Sequence, residues 1–197
     1  TGGIDLDSGI TFSVDATNGA SRRLTVSIEI TGPFNENILE LRFPRWVPGS
    51  YFIREPIQHM SELSAKIDGK SSKISRVDVD GAKVSGVKGA KSVSINYRLL
   101  AAEMTCRANH LDSTHVHIMP PYTWMLPTRG IDKNRIEMDH KVTLDAPSDW
   151  HTATQLKGVE GEWIAEGRDE FLDAIMESNP NPMITFEVQG TNQHLKL

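Results

Sequence analysis

Histidines, a cysteine and clustered carboxylates are the side chains whose spacing could announce chemistry in this chain. A peptidase-type zinc site needs two histidines one helical turn apart with a glutamate between them, so that both imidazoles face one ion and the carboxylate activates its water. None of the seven histidines (His59, His110, His115, His117, His140, His151 and His194) is followed by glutamate, so no His-Glu-x-x-His is present. His115 and His117 are two apart and would project from one face of a strand, with His110 and Asp112 just upstream. A metal site is conceivable there, but the sequence specifies no fourth ligand, and these histidines are read as structural; the chain is expected to hold no metal.

Other reactive groups fare no better. Cys106 is the single cysteine, which rules out an internal disulfide, and nothing beside it marks an activated nucleophile. There is no Gly-x-Ser-x-Gly elbow, and Gly69-Lys70-Ser71 and Gly86-Val87-Lys88-Gly89 lack the spacing of phosphate-cradling loops. Asp169, Glu170 and Asp173 read as the solvated start of a helix. No catalytic residue is expected. Tyr122 and Trp124 lie among three prolines, where periodicity assigns them to no core face, so they are the candidate contact residues for a sugar or peptide.

The elements that must position these residues read as strands. Ile10–Val14, Leu24–Ile30, Ile38–Phe43, Leu63–Ile67, Val93–Leu99, Ile136–Leu144, Trp163–Ala165 and Met183–Val188 show strand-like apolar patterning, most of it with a period of two. Asn18-Gly19 and Asp68-Gly69 suit tight hairpins, and Asp80-Gly81 repeats the theme. Val93 to Leu99 is expected to be a central strand, and Pro120 to Pro127 an extended loop or edge, because proline cannot donate to a ladder. A short helical turn is expected near Ile57 to Met60. The one true helix is expected at 169–176. This pattern predicts an all-β fold, a mostly antiparallel sandwich or open barrel, as a single domain over residues 1–197.

Between the third strand and that turn lies the least generic run: Phe43-Pro44-Arg45-Trp46-Val47-Pro48-Gly49-Ser50-Tyr51-Phe52-Ile53-Arg54-Glu55. Pro48-Gly49 suits a type II turn, so the run reads as a structural corner. Trp46 and Tyr51 are expected to pack on each other or on the core, with Arg54 and Glu55 near the surface. The run resembles the Pro-x-Trp-x-Pro-Gly-Ser-Tyr-x-x-Arg-Glu signature of the N-terminal domain of M61 (glycyl aminopeptidase) zinc metallopeptidases, through Pro44, Trp46, Pro48, Gly49, Ser50, Tyr51, Arg54 and Glu55. The likeness continues through Leu111 to His115, Lys141 to Leu144, Ala146 to Trp150 and Asp169 to Asp173. At Asp173-Ala174-Ile175 the chain departs from the family's Asp-Ser-Pro, so no role of that Ser-Pro carries over.

The resemblance implies a noncatalytic β-rich domain that packs on a helical zinc domain of the same polypeptide and helps wall its peptide cleft. A PDZ-like module would follow, with zinc bound in the catalytic domain. The alternative is a free-standing β-sandwich binding module for carbohydrate or peptide. A net charge of −5, with neither sign gathered into a block, argues against nucleic acid as a partner. No apolar run approaches a membrane span, no leader is visible at the first residues, and the compartment is left between cytoplasm and periplasm.

Overall fold

The computed structural model describes residues 8–46, 50–188 and 190–195. Its largest element is an eight-stranded sheet. In spatial order the strands are Lys157–Val159, Glu162–Ala165, His140–Asp145, Ile10–Asp15, Arg23–Thr31, Ser92–Leu100, Met60–Ile67 and Lys70–Ser72. All of its pairings are antiparallel except that of Ile10–Asp15 with His140–Asp145, which is parallel. The sheet has two free edges, so it is open rather than closed into a barrel. A second sheet orders Leu126–Arg129, Ile38–Arg42, Gly81–Ser85 and Ile74–Val77. A third orders His151–Thr154, Met176–Asn179, Val116–Ile118 and His110–Leu111. The hairpin Ile184–Val188 with Thr191–Leu195 forms a fourth pairing.

The period-two patterns become buried faces. Val93, Ile95, Tyr97 and Leu99 are all buried, on a strand that lies inside the large sheet as expected. Opposite them in register stand Ile30, Ile28, Val26 and Leu24 of the neighbouring strand, equally buried. These side chains join Leu39, Leu41, Ala82 and Val84 of the second sheet and Val116, Ile118 and Met176 of the third in one hydrophobic cluster. At its centre Phe12 meets Phe171 at 4.3 Å between ring centroids, Trp124 at 5.6 Å and the buried His140 at 5.4 Å. Burial lowers the proton affinity of His140, against the pull of Ile136 O, which lies 2.9 Å from a ring nitrogen. The buried Arg135 guanidinium stitches the segments flanking this core by donating to Ser8 O and Thr31 O, each at 2.7 Å, and to Pro33 O.

Turns follow the sequence unevenly. Asp68 and Gly69 both take positive φ, 48° and 77°, as a two-residue hairpin requires. Asn18-Gly19 does connect antiparallel strands, but as the start of a 3₁₀ turn, Gly19–Ser21, capped by the Asn18 side chain, and the left-handed residue is Arg22. Near Gly81 the left-handed residue is Asp78, while Gly81 itself begins a strand. The turn after Glu55 is the 3₁₀ segment Pro56–His59. The expected helix is α2, Gly167–Asp173, ending three residues before Met176, which belongs to a strand. A one-turn helix that periodicity missed, α1 at Pro120–Thr123, starts where proline is tolerated, with its missing N–H in the first turn. Pro127 sits on an edge strand, as its chemistry demands.

Tyr97 carries a testable polar contact through this core. Its buried hydroxyl donates to Thr123 O at 2.6 Å and accepts from Met125 N at 3.3 Å, fixing the chain on either side of Trp124. Tyr97→Phe strands both backbone groups without a partner, so urea denaturation should register a loss of about 1–3 kcal/mol.

Candidate interaction surface

The proline-rich run ends the strand Ile38–Arg42 and leaves the body of the domain. Its base is built. Arg54 N donates to Arg45 O at 3.2 Å, closing the loop, and Phe43 N donates to Asp80 O at 2.8 Å. The Asp80 carboxylate, almost wholly buried, receives Arg42 Nη1 at 2.5 Å and Arg45 Nε at 2.5 Å, and Asp78 stands 3.4 Å from Arg45. Burial alone would raise the Asp80 carboxyl, but the Arg45 and Arg42 hydrogen bonds outweigh it and hold the group below the usual carboxylate range.

Beyond that base the rings point outward. Trp46 is 58% exposed, Tyr51 96%, Phe52 71% and Ile53 60%. The expectation that Trp46 and Tyr51 pack on each other or on the core is therefore corrected: the chain turns them to solvent, and the core is filled by other aromatics. Residues 47–49, which include Pro48 and Gly49 of the expected type II turn, lie outside the described residues. Pro44 and Ser50 are half-buried, and Glu55 is exposed. Arg54 is the signature residue that turns inward. Its guanidinium lies 6.0 Å from the Phe52 ring centroid and beside the Tyr122 hydroxyl.

Tyr122 and Trp124, the expected contact residues, are both buried. Trp124 is 1% exposed against Phe12 and Phe171, which removes it as a surface contact in this domain. Tyr122 is 7% exposed and packs with Ala108 and Met119. What buries them is the turn of α1, held by Asn109, whose Oδ1 accepts from Met119 N at 2.8 Å and from Thr123 Oγ1 at 2.9 Å. A lone Asn ten residues upstream gives no sequence signal for such a clamp.

Two open clefts flank the loop. One, of about 280 Å³, lies between Trp46, Pro121 and the α2 residues Arg168, Asp169, Leu172 and Asp173. The other, of about 410 Å³, is walled by Pro44, Arg45, Asp80, Leu126, Glu137 and Arg168 among others. Apolar rings beside basic and acidic groups make a surface suited to another folded protein face, with rings as anchors and charges setting register. The groups for peptidase zinc chemistry are not on this surface: no histidine lies on either α-helix among the described residues, so the family's helix-borne ligand pair does not fit this chain.

The fold is shared with part of several solved structures. It superposes with a TM-score of 0.83 on an aminopeptidase N family protein from Idiomarina loihiensis, at 20% identity over 94% of this chain and 32% of that one. An M1 zinc metallopeptidase from Deinococcus radiodurans gives 0.50 at 9% identity over 96% and 47%, and yeast LTA4 hydrolase in complex with bestatin 0.54 at 9% over 90% and 29%. The chain thus spans less than half of each of these structures. No curated protein sequence matches it. The model of the peptidase M61 N-terminal domain matches residues 11–176, and the chain belongs to that family.

The Asp80 clasp predicts a pH signature. Because its folded carboxyl is held below the unfolded value, its contribution is present above that unfolded value and fades as pH falls through the folded one. Asp80→Asn should lower stability by about 1–3 kcal/mol at neutral pH. Urea midpoints should show the gap to wild type constant above about pH 5 and shrinking below about pH 4.

Proposed function

We propose that this domain serves as the noncatalytic N-terminal part of an M61-type metallo-aminopeptidase, docking through Trp46, Tyr51, Phe52 and Ile53 onto a zinc-bearing catalytic domain of the same polypeptide and helping to wall its peptide cleft. A PDZ-like module would follow further on, and the substrates would be peptides with an N-terminal glycine or another small residue. The observation that carries the reading is the aromatic loop: signature residues Trp46 and Tyr51 are held outward on a braced base. Exposed apolar rings cost solvation unless a partner covers them, and family membership supplies the class of partner.

The test is made in the longer polypeptide that contains the catalytic domain. Trp46→Ala with Tyr51→Ala should cut kcat/KM on a glycyl peptide by tenfold or more, while the thermal midpoint of the 197-residue chain alone moves little, since exposed substitutions cost within about 0.5 kcal/mol. Unaltered peptidase kinetics in the double variant would remove the docking role. The free-standing binding module draws on the same exposed rings; saturable glycan or peptide binding by the 197-residue chain, abolished in the double variant, would favour it instead.

A further inference from the structure

The short sheet of His110–Leu111, Val116–Ile118 and Met176–Asn179 gathers ionisable groups on one face. Register places His117 directly opposite His110 on one side and Glu177 on the other. Asp112 lies two residues after His110 and His115 two before His117, and Asp112 N donates to His115 O at 3.1 Å. Period-two alternation therefore sets His110, Asp112, His115, His117 and Glu177 together. The side chains confirm the placement. A ring nitrogen of His110, Nε2, lies 3.1 Å from Asp112 Oδ2, and His115 Nδ1 lies 3.6 Å from Asp112 Oδ1. The two imidazoles stack at 4.6 Å between centroids. His117 Nδ1 sits 2.6 Å from Glu177 Oε2.

One donor atom each from His110, Asp112 and His115 lies within 4.8 Å of the others. A tetrahedral ion about 2.0–2.2 Å from its ligands holds them roughly 3.3–3.6 Å apart, so binding would draw these donors together by about an ångström. Two nitrogens on this face, His110 Nδ1 and His117 Nε2, are buried and make no hydrogen bond, although the opposite nitrogen of each ring meets a carboxylate. In His110 the nitrogen beside Asp112 is Nε2, so Nε2 is the donor that an ion shared with Asp112 would take, while Nδ1 lies on the far side of the ring. Asp112 is kept ionised by the Thr114 hydroxyl above all, with the Thr114 and His115 amides and His110 also assisting. A cavity of about 260 Å³ opens onto the set, lined by His110, His115, His117, Glu177, Cys106 and Thr105. Solvent and an ion can reach it.

We propose that His110, Asp112 and His115 form a binding site for a divalent transition-metal ion of the zinc type, with the cavity leaving a further coordination position open to water. Two imidazoles and a carboxylate are the borderline nitrogen and oxygen set that selects zinc and its first-row neighbours over calcium or magnesium. The proposal departs from the expectation that the three histidines are structural and bind no metal. What the sequence concealed was the turn of residues 112–115, which brings His115 back beside His110.

Chelator-treated full chain is titrated with zinc sulfate at neutral pH by calorimetry, with His115→Ala and, as a control outside this sheet, His59→Ala of the turn Pro56–His59 in parallel. One zinc per chain is expected, with affinity at least tenfold weaker in His115→Ala and unchanged in His59→Ala. Imidazole nitrogen NMR of the wild type gives a reading independent of how any variant folds: zinc should shift the ring nitrogens of His110 and His115 and leave those of His59 in place. Failure of the wild type to bind stoichiometrically, equal affinity in His115→Ala, or ring shifts confined to other histidines would each overturn the assignment.

Discussion

The contact of Phe12 with Phe171 and Trp124 is the constraint on which the remaining architecture hangs. Phe12 stands on a strand inside the large sheet, Phe171 on α2 and Trp124 just after α1, so one aromatic cluster joins the sheet to both helices. Edge-to-face and tilted rings of this size bury large apolar areas and add directional preference to it. With α2 fixed, Arg168, Asp169, Leu172 and Asp173 come to rest beside Trp46. The interior thus decides the shape of the surface that the proline-rich loop shares.

That loop is braced by charge where the core cannot reach it. Asp80 is removed from water and faces two guanidiniums, one from the end of a strand and one from the loop base. Burial of a lone carboxylate would be costly, and the paired arginines with their hydrogen bonds offset it. The outcome is a platform whose base is rigid and whose apolar residues project. Trp124, Trp150 and Trp163, by contrast, are turned inward.

Strand identity was legible because a two-residue period is a property of the backbone. Val93 to Leu99 reads as a central strand for the same reason that it is one. Side-chain destination was less legible wherever no period ran. Trp124 follows a one-turn helix whose two prolines disguise it, and Tyr97 and Asn109, distant in sequence, hold the backbone around it. Trp46 and Tyr51 fail in the opposite direction, since an aromatic ring beside a turn is ordinarily core and nothing local signals exposure. Of the signature, the outward rings and the inward Arg54 are described, whereas Pro48 and Gly49 fall outside the described residues. The histidine face was half visible: the His115 and His117 spacing gives one strand, but pairing with His110 and Glu177 is a matter of register, which a single sequence does not encode locally.

The parallel pairing of Ile10–Asp15 with His140–Asp145 has a consequence for how the chain reaches its native state. These neighbours are separated by a loop on the order of 120 residues, so their union carries a large closure entropy and raises the contact order of the whole domain. The strands between Arg23 and Leu100 find partners nearer in sequence, whereas the seam between the first strand and the His140 strand can zip only after most of the polypeptide is available. Kinetic arrest, if it occurs, would leave that seam unsealed, exposing the flank of Ile10–Asp15 as a template for an intruding strand from another molecule.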